Sequence, residues 1–155
     1  MFVPFDILND SSRLWLYGSE TELTKQQTSH ISEKLTTFLE SWEYHQQKLT
    51  ASFKISENRF IIIALDDREY GVGGCSMDGL QRLIQTFEND LSISLMNRLN
   101  VFCKIGGEIQ CVSSFKLKRV ANSETLFYDL TIQNKLELHS YLKPIKDGWC
   151  SKFCK

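Results

Sequence analysis

The 155-residue sequence has little proline, little net charge and no long hydrophobic run. Only two prolines are present, and 18 Lys and Arg against 19 Asp and Glu give a formal net charge of −1. Hydrophobic residues make up 42% of the chain and charged residues 24%, as in ordinary globular proteins, which argues against disorder. A net charge near zero provides no general attraction to nucleic acid or to an anionic membrane, so we predict neither as a partner.

The N-terminal sequence M-F-V-P-F-D-I-L-N-D lacks the basic start and the apolar run of a secretory signal, and no stretch approaches the length of a membrane span. We therefore predict a cytoplasmic protein. The cysteine pattern agrees, because five cysteines without a C-x-x-C motif favour reduced thiols over a disulfide framework. These cysteines are Cys75, Cys103, Cys111, Cys150 and Cys154.

Hydrophobic periodicity predicts a single α+β domain over residues 1–155, with a mostly antiparallel sheet of about five strands packed by two main helices plus short helices. Residues 1–12 form an N-terminal segment in this prediction, and residues 144–155 form a tail that docks on the core through Trp149 and Phe153. The strands are expected near residues 13–17, 49–55, 60–65, 99–105, 108–112 and 125–132. Cys103 and Cys111 are expected to face the same layer.

The helices are predicted from apolar residues at helical spacing. Ile31, Leu35 and Leu39 indicate a first helix, with an S-x-x-E capping pattern at residues 19–22, and Leu80 to Leu91 indicate a second, capped by Ser76 or Asp78. Shorter helices are expected at residues 113–120 and 135–142. The last third of the chain, residues 101–155, holds nine basic and five acidic side chains, and we interpret it as a solvated face because no aromatic-and-arginine stacking pattern accompanies it.

The glycine-rich loop at residues 71–79, G-V-G-G-C-S-M-D-G, is the segment most suited to chemistry. It follows the apolar strand that ends in Asp66 and leads into the second helix. A helix start offers unpaired N–H groups and a partial positive charge, which attract anions and can lower the pKa of a thiol. The sequence thus predicts a site for a small anionic ligand, or for a protein partner, with Arg59 and Arg98 as counter-charges. The loop residues assigned to this site are Gly73, Gly74, Cys75, Ser76 and Asp78.

Three alternatives stay open. Cys75 could be the nucleophile of a thiol enzyme, with Asp66 or one of the three histidines as base. The glycines could simply turn the chain into its helix, and the C-terminal aromatic tail could contact a partner protein. We rank binding above catalysis, because the sequence places no base beside Cys75. No metal or cofactor is predicted, since no histidine or glutamate lies at metal-ligand spacing from the carboxylates of Asp66, Asp67 and Asp78.

Four short segments carry a resemblance. The residues N-R-F-I-I at 58–62, G-C-S-M-D at 74–78, R-L-N-V at 98–101 and K-D-G-W at 146–149 resemble those of a group of short bacterial proteins, over residues 14–153. These proteins often carry the label "ABC transporter ATPase", which implies ATP hydrolysis. The chain has no G-x-x-x-x-G-K-[ST] loop, its apolar strand ends in Asp66-Asp67 instead of Asp-Glu, and no L-S-G-G-Q-like signature is present. We therefore expect no ABC-type ATPase activity.

Overall fold

The computed structural model describes residues 1–69 and 73–155. The described chain divides into two compact units. Unit 1 comprises Met1–Met96 with Gln133–Leu136, and unit 2 comprises Asn97–Ile132 with Glu137–Lys155. The α+β class with antiparallel strands and two main helices is confirmed. The described residues form nine strands in three sheets, whereas the sequence predicted about five strands in one sheet.

Unit 1 contains both α-helices and the first five strands. These elements are β1 (Arg13–Gly18), α1 (Lys25–Glu40), β2 (Glu43–Tyr44), β3 (Gln47–Lys48), β4 (Thr50–Ser56), β5 (Phe60–Asp66) and α2 (Gly74–Leu91). Strand β5 is central and pairs antiparallel with β1 and β4. All of its residues except Asp66 are buried, which confirms the predicted central strand and its hairpin with β4. The chain after β5 therefore starts from a rigid, fully paired support.

Helices α1 and α2 share the core of unit 1 with one face of this sheet. Ile31, Leu35 and Leu39 of α1 pack with Leu80, Ile84 and Phe87 of α2, and the sheet contributes Ile61, Ile63 and Leu65. The predicted core stripes are thus confirmed. The predicted start of α1 is wrong, because the capping box is formed by Thr24 and Gln27, whereas the Ser19 hydroxyl donates to the Thr21 carbonyl.

Unit 2 is built on a four-stranded antiparallel sheet in the order β7-β6-β8-β9. Its strands are β6 (Asn100–Ile105), β7 (Glu108–Ser113), β8 (Leu126–Tyr128) and β9 (Leu142–Pro144). The turn between β6 and β7 uses Gly106 and Gly107 at φ +61° and +80°, as the glycine pair indicated. Short 3₁₀ helices, Ser114–Arg119 and Ser151–Cys154 among them, complete the unit.

Three expectations for this part of the chain are wrong in detail. Residues 125–132 form only the short strand β8, and residues 135–142 give a 3₁₀ helix, Leu136–Ser140, followed by strand β9. Cys103 pairs with Gln110 across the ladder and Cys111 pairs with Phe102, so the two thiols lie on opposite faces of the sheet. Cys103 is buried with Val101, Phe127 and Cys150 in the core of unit 2.

Candidate functional site

The candidate site is the start of α2, where the chain returns from the glycine-rich loop. Gly71 and Val72 of that loop lie outside the described residues, and the description resumes at Gly73. Gly73 is the N-cap of α2, with extended backbone angles, and its carbonyl accepts from the Met77 N–H at 3.1 Å. No described side chain caps the helix, so the expected cap by Ser76 or Asp78 is wrong. The N–H groups of Gly74, Cys75 and Ser76 precede the first helical hydrogen bond, and no side chain in residues 1–69 or 73–155 caps them.

The β2–β3 hairpin holds this helix start in place. The ring of Tyr44 lies against the Cα of Gly73, on the side where a Cβ would project. The Ser76 hydroxyl donates to the Glu43 carbonyl at 2.8 Å, and the Trp42 indole N–H donates to the Ser76 carbonyl at 3.0 Å in a buried contact. Both the side chain and the backbone of Ser76 are thus hydrogen-bonded to residues 42–43. These bonds fix the direction of the neighbouring N–H groups of α2.

The sequence does not predict this hairpin. Its two turn residues, His45 and Gln46, have positive φ angles of 50° and 66°, which is the geometry of a type I′ turn. Asn-Gly or Asp-Gly is the usual signal for such a turn, and His-Gln gives none. Two strands of two residues each also provide too short a stretch for an alternating pattern to be visible.

The remaining face of the helix start is open. A Cβ at Gly74 would have nothing within 4 Å among the described atoms, and both Cys75 and Asp78 are exposed. Cys75 is the only exposed cysteine of the five: Cys103 and Cys150 are buried, and Cys111 and Cys154 are half-buried. The first turn of α2 therefore presents a thiol and a carboxylate to solvent beside backbone N–H groups.

Asp66, the proposed base of a thiol enzyme, is engaged by Arg68. The guanidinium forms two parallel hydrogen bonds, Nε to Oδ1 at 2.9 Å and Nη2 to Oδ2 at 2.7 Å. The side-chain hydrogen bond from Arg68 is the main reason that the pKa of Asp66 lies below its usual value. A carboxylate held ionised by such a fork is a weak proton acceptor. The sequence analysis did not single out Arg68.

A polar cleft adjoins this pair. It has a volume of about 460 Å³ and is lined by Lys48, Leu49, Thr50, Asp66, Arg68 and Glu69. Lys48 pairs across the β2–β3 ladder with Glu43, whose carbonyl accepts from Ser76. The cleft and the start of α2 therefore share the β2–β3 hairpin as a common wall. The lining holds two cations, Lys48 and Arg68, and two carboxylates, Asp66 and Glu69, and Arg68 is already paired with Asp66.

Arg59, one of the residues assigned as counter-charges, lies at the far end of β5 from Asp66. Arg59 precedes the strand, whose seven residues span about 23 Å. Its guanidinium donates to the carbonyls of Ser19 and Glu20, at 3.3 and 2.8 Å, so it fixes the segment before α1. Arg98 is exposed in unit 2. The structure thus supplies Lys48, in place of Arg59, at the β5 end that leads towards α2.

The histidines occupy three separate settings. The ring of His45 contacts that of Tyr44 in a tilted arrangement, with centroids 4.1 Å apart, on the hairpin that packs against α2. His30 lies edge-on to Phe87 in the helical core, 4.0 Å from a carboxylate oxygen of Asp90. His139 is exposed in the 3₁₀ helix Leu136–Ser140. Of the three, His45 lies on the hairpin whose Tyr44 contacts Gly73.

Neither a metal cluster nor a membrane span is found in the described part of the chain. No group of three or more His, Cys, Asp or Glu side chains in residues 1–69 and 73–155 is arranged to hold a metal ion. None of the described helices combines the length and apolar character needed to cross a bilayer. Comparison of the chain with protein families, curated proteins and solved structures finds no match.

Proposed function

We propose that the chain binds a small anionic ligand, or an acidic group of a protein partner, at the start of α2 through the segment at residues 71–79. The observation that carries the proposal is the open, uncapped first turn. Gly74 faces free space, and no described side chain occupies the position of a cap. A phosphate or carboxylate there would accept from backbone N–H groups and gain from the helix dipole.

The surroundings of the helix start support this proposal. The contacts of Tyr44 with Gly73 and of Glu43 and Trp42 with Ser76 hold the N–H groups in a fixed direction. A rigid site loses less conformational entropy when it binds a ligand. Lys48 in the adjacent cleft would add a positive charge for the remainder of an anionic ligand, whereas Arg68 is already paired with Asp66.

The decisive variant is Gly74→Pro. Proline is favoured at the first position of a helix and removes one N–H, and the extended backbone of Gly73 suits a residue that precedes proline. Gly74→Ala is the matched control, because it keeps the N–H and its Cβ meets no atom within 4 Å. The two variants therefore differ in the donor and share an intact fold.

The ligand class is to be found by thermal shift with inorganic phosphate, sugar phosphates, nucleotides and acyl thioesters, since a specific ligand raises the melting temperature by mass action. For a compound that stabilises the protein, we expect Gly74→Pro to weaken the affinity about tenfold or more, as the loss of a charge-assisted hydrogen bond would. Gly74→Ala should bind as the wild type does. Equal affinity of both variants, or stabilisation by none of these compounds, would refute the proposal.

A second candidate function is a thiol-dependent reaction with Cys75 as the nucleophile. It is supported by the exposure of Cys75 at the second position of α2 and by the presence of His45 on the hairpin that contacts the same helix. Cys75→Ser separates the two candidates. The variant should still bind the anionic ligand if the site only binds, and it should lose all turnover of an acyl thioester if Cys75 attacks the substrate.

A further inference from the structure

A second surface, on unit 2, combines cations with exposed apolar side chains. The 3₁₀ helix Ser114–Arg119 carries Phe115, which is 72% exposed, and is followed by Val120, which is 46% exposed. The 3₁₀ helix Ser151–Cys154 packs beside it, because the rings of Phe115 and Phe153 meet edge to face with centroids 5.8 Å apart. We define the basic-aromatic surface as Phe115, Lys116, Arg119, Val120 and Lys152.

The charge on this surface has one sign. Unit 2 contains nine Lys and Arg against five Asp and Glu, and the two 3₁₀ helices carry no acidic residue. Two of the five acids are already paired, Glu124 with Lys146 and Asp129 with Lys143. Within the described residues, no ion pair involves Lys116, Arg119 or Lys152, all of which are exposed. The two 3₁₀ helices thus carry three exposed cations outside these ion pairs together with the exposed ring of Phe115.

The basic-aromatic surface is supported by the buried core of unit 2. Phe153 also meets the ring of Trp149 edge to face at 6.3 Å, and both rings pack against the buried cluster of Val101, Phe127 and Cys150. Lys118 is left out of this surface because its ammonium already has a partner. It donates to the Lys155 carbonyl at 2.7 Å, just after the second 3₁₀ helix. An exposed aromatic ring on a rigid base offers contact area at a small entropic cost.

We propose that the basic-aromatic surface binds an acidic peptide segment of a partner protein, one that carries an apolar side chain between its carboxylates. The carboxylates pair with Lys116, Arg119 and Lys152, and the apolar side chain covers Phe115 and Val120. Charge complementarity brings the segment to the surface, and burial of the ring adds the affinity that exposed ion pairs lack.

A single-stranded nucleic acid fits this surface less well. Binding of such strands relies on successive bases stacked on successive aromatic faces. Here only Phe115 is largely exposed, whereas Phe153 is half-buried and has the Lys152 ammonium 5.3 Å from its ring centre. The formal net charge of −1 for the whole chain also provides no long-range attraction to a polyanion.

The test uses the full chain and fluorescence anisotropy with labelled probes of equal length. The first probe is a peptide of Asp and Glu around a central Leu, the second has Ser in place of the Leu, and the third is an oligothymidylate. We expect the first probe to bind, the second to bind several-fold more weakly, and the third to bind least. Failure of the first probe to bind, equal binding of the first two, or tighter binding of the oligothymidylate would overturn the proposal.

Variants assign the binding to this surface. The single variant Arg119→Glu should weaken binding of the first probe several-fold and reduce its salt dependence, and Phe115→Ser should also weaken it several-fold. Lys104→Glu is the matched control, because Lys104 is an exposed cation of the same unit outside the two 3₁₀ helices. The Lys104→Glu variant should bind the first probe with an affinity within about twofold of that of the wild type. An equal loss in Lys104→Glu would show attraction to the general charge of the unit and would refute the proposal.

Discussion

The ring of Tyr44 occupies the position that a Cβ of residue 73 would take, so the β2–β3 hairpin and the start of α2 meet at a glycine. Any side chain at this position would separate the two elements. Gly74, the next residue, has no such restriction, because a Cβ there would meet no described atom within 4 Å. Of the two adjacent glycines, the first is required by packing, and the second leaves the helix start accessible.

Replacement of Gly73 should show how much the contact with the Tyr44 ring contributes to stability. Gly73→Ala is expected to displace the Tyr44 ring and lower the free energy of unfolding by about 1–2 kcal/mol, as overpacking does in a well-packed site. In a Tyr44→Ala background the same change should cost about 1 kcal/mol less, because the overpacking is gone and only the preference for Gly over Ala at an N-cap remains. Urea unfolding of the four proteins measures both effects, and additive free energies would show that the two residues do not touch.

Ser76 gives a second prediction for the same interface. Ser76→Ala removes the donor to the Glu43 carbonyl and should lower the free energy of unfolding by about 1 kcal/mol. Thr86→Ala is the control within α2, because the exposed Thr86 hydroxyl bonds only to the Arg82 carbonyl of its own helix. That change should be neutral or slightly stabilising, since alanine is the better helix former. Equal losses in the two variants would mean that Ser76 does not anchor the hairpin.

The five thiols should react at different rates in the folded protein. Cys75 is exposed, whereas burial raises the pKa of Cys103 to about 12 and that of Cys150 to about 11, which keeps both protonated and unreactive. Iodoacetamide at neutral pH should label Cys75 first and leave Cys103 and Cys150 unlabelled until urea is added. Mass spectrometry of the peptides identifies the order, with Cys75→Ser as the control. Early labelling of Cys103 would contradict the packing of unit 2.

The sequence predicts the large elements of this fold and misses the small ones that build the site. Strand β5 and the core stripes of α1 and α2 follow from hydrophobic periodicity, because each buries a long regular run. The β2–β3 hairpin has only two residues in each strand, and its turn lacks the glycine that would signal it. Arg59 was expected beside the ligand because it is close in sequence to Asp66. The extended strand β5 instead places the two residues at its opposite ends.

The basic-aromatic surface could not be predicted from the sequence either, because it combines two segments that are distant along the chain. Residues 115–119 and 152–153 are far apart in sequence, so neither segment alone shows cations interleaved with several aromatic rings. The packing of the two 3₁₀ helices brings Phe115 to Phe153, and the same two helices carry Lys116, Arg119 and Lys152. Short 3₁₀ helices have no extended periodic pattern, and the sequence therefore gave no sign of their arrangement.

Asp129 should make the stability of the protein depend on pH in acid. Its carboxylate is buried, which by itself raises the pKa, but hydrogen bonds from Thr131 and from the Lys143 ammonium at 2.9 Å outweigh burial and set the pKa below its usual value of 3.8. A carboxylate whose pKa is lowered by folding stabilises the protein above its unfolded pKa. This stabilisation is lost as the pH falls through the folded pKa.

The variant Asp129→Asn should therefore lower the free energy of unfolding by about 2 kcal/mol at neutral pH, the size expected for hydrogen bonds to a charged group. The difference from the wild type should shrink as the pH is lowered below 3.8, because the wild-type carboxyl then becomes protonated as well. Glu124→Gln breaks an ion pair whose side chains are 69% and 51% exposed, and it should cost no more than about 0.5 kcal/mol at any pH. Urea unfolding of the three proteins along a pH series measures these differences. Parallel curves for the wild type and Asp129→Asn down to the acid limit would show that Asp129 does not titrate with folding.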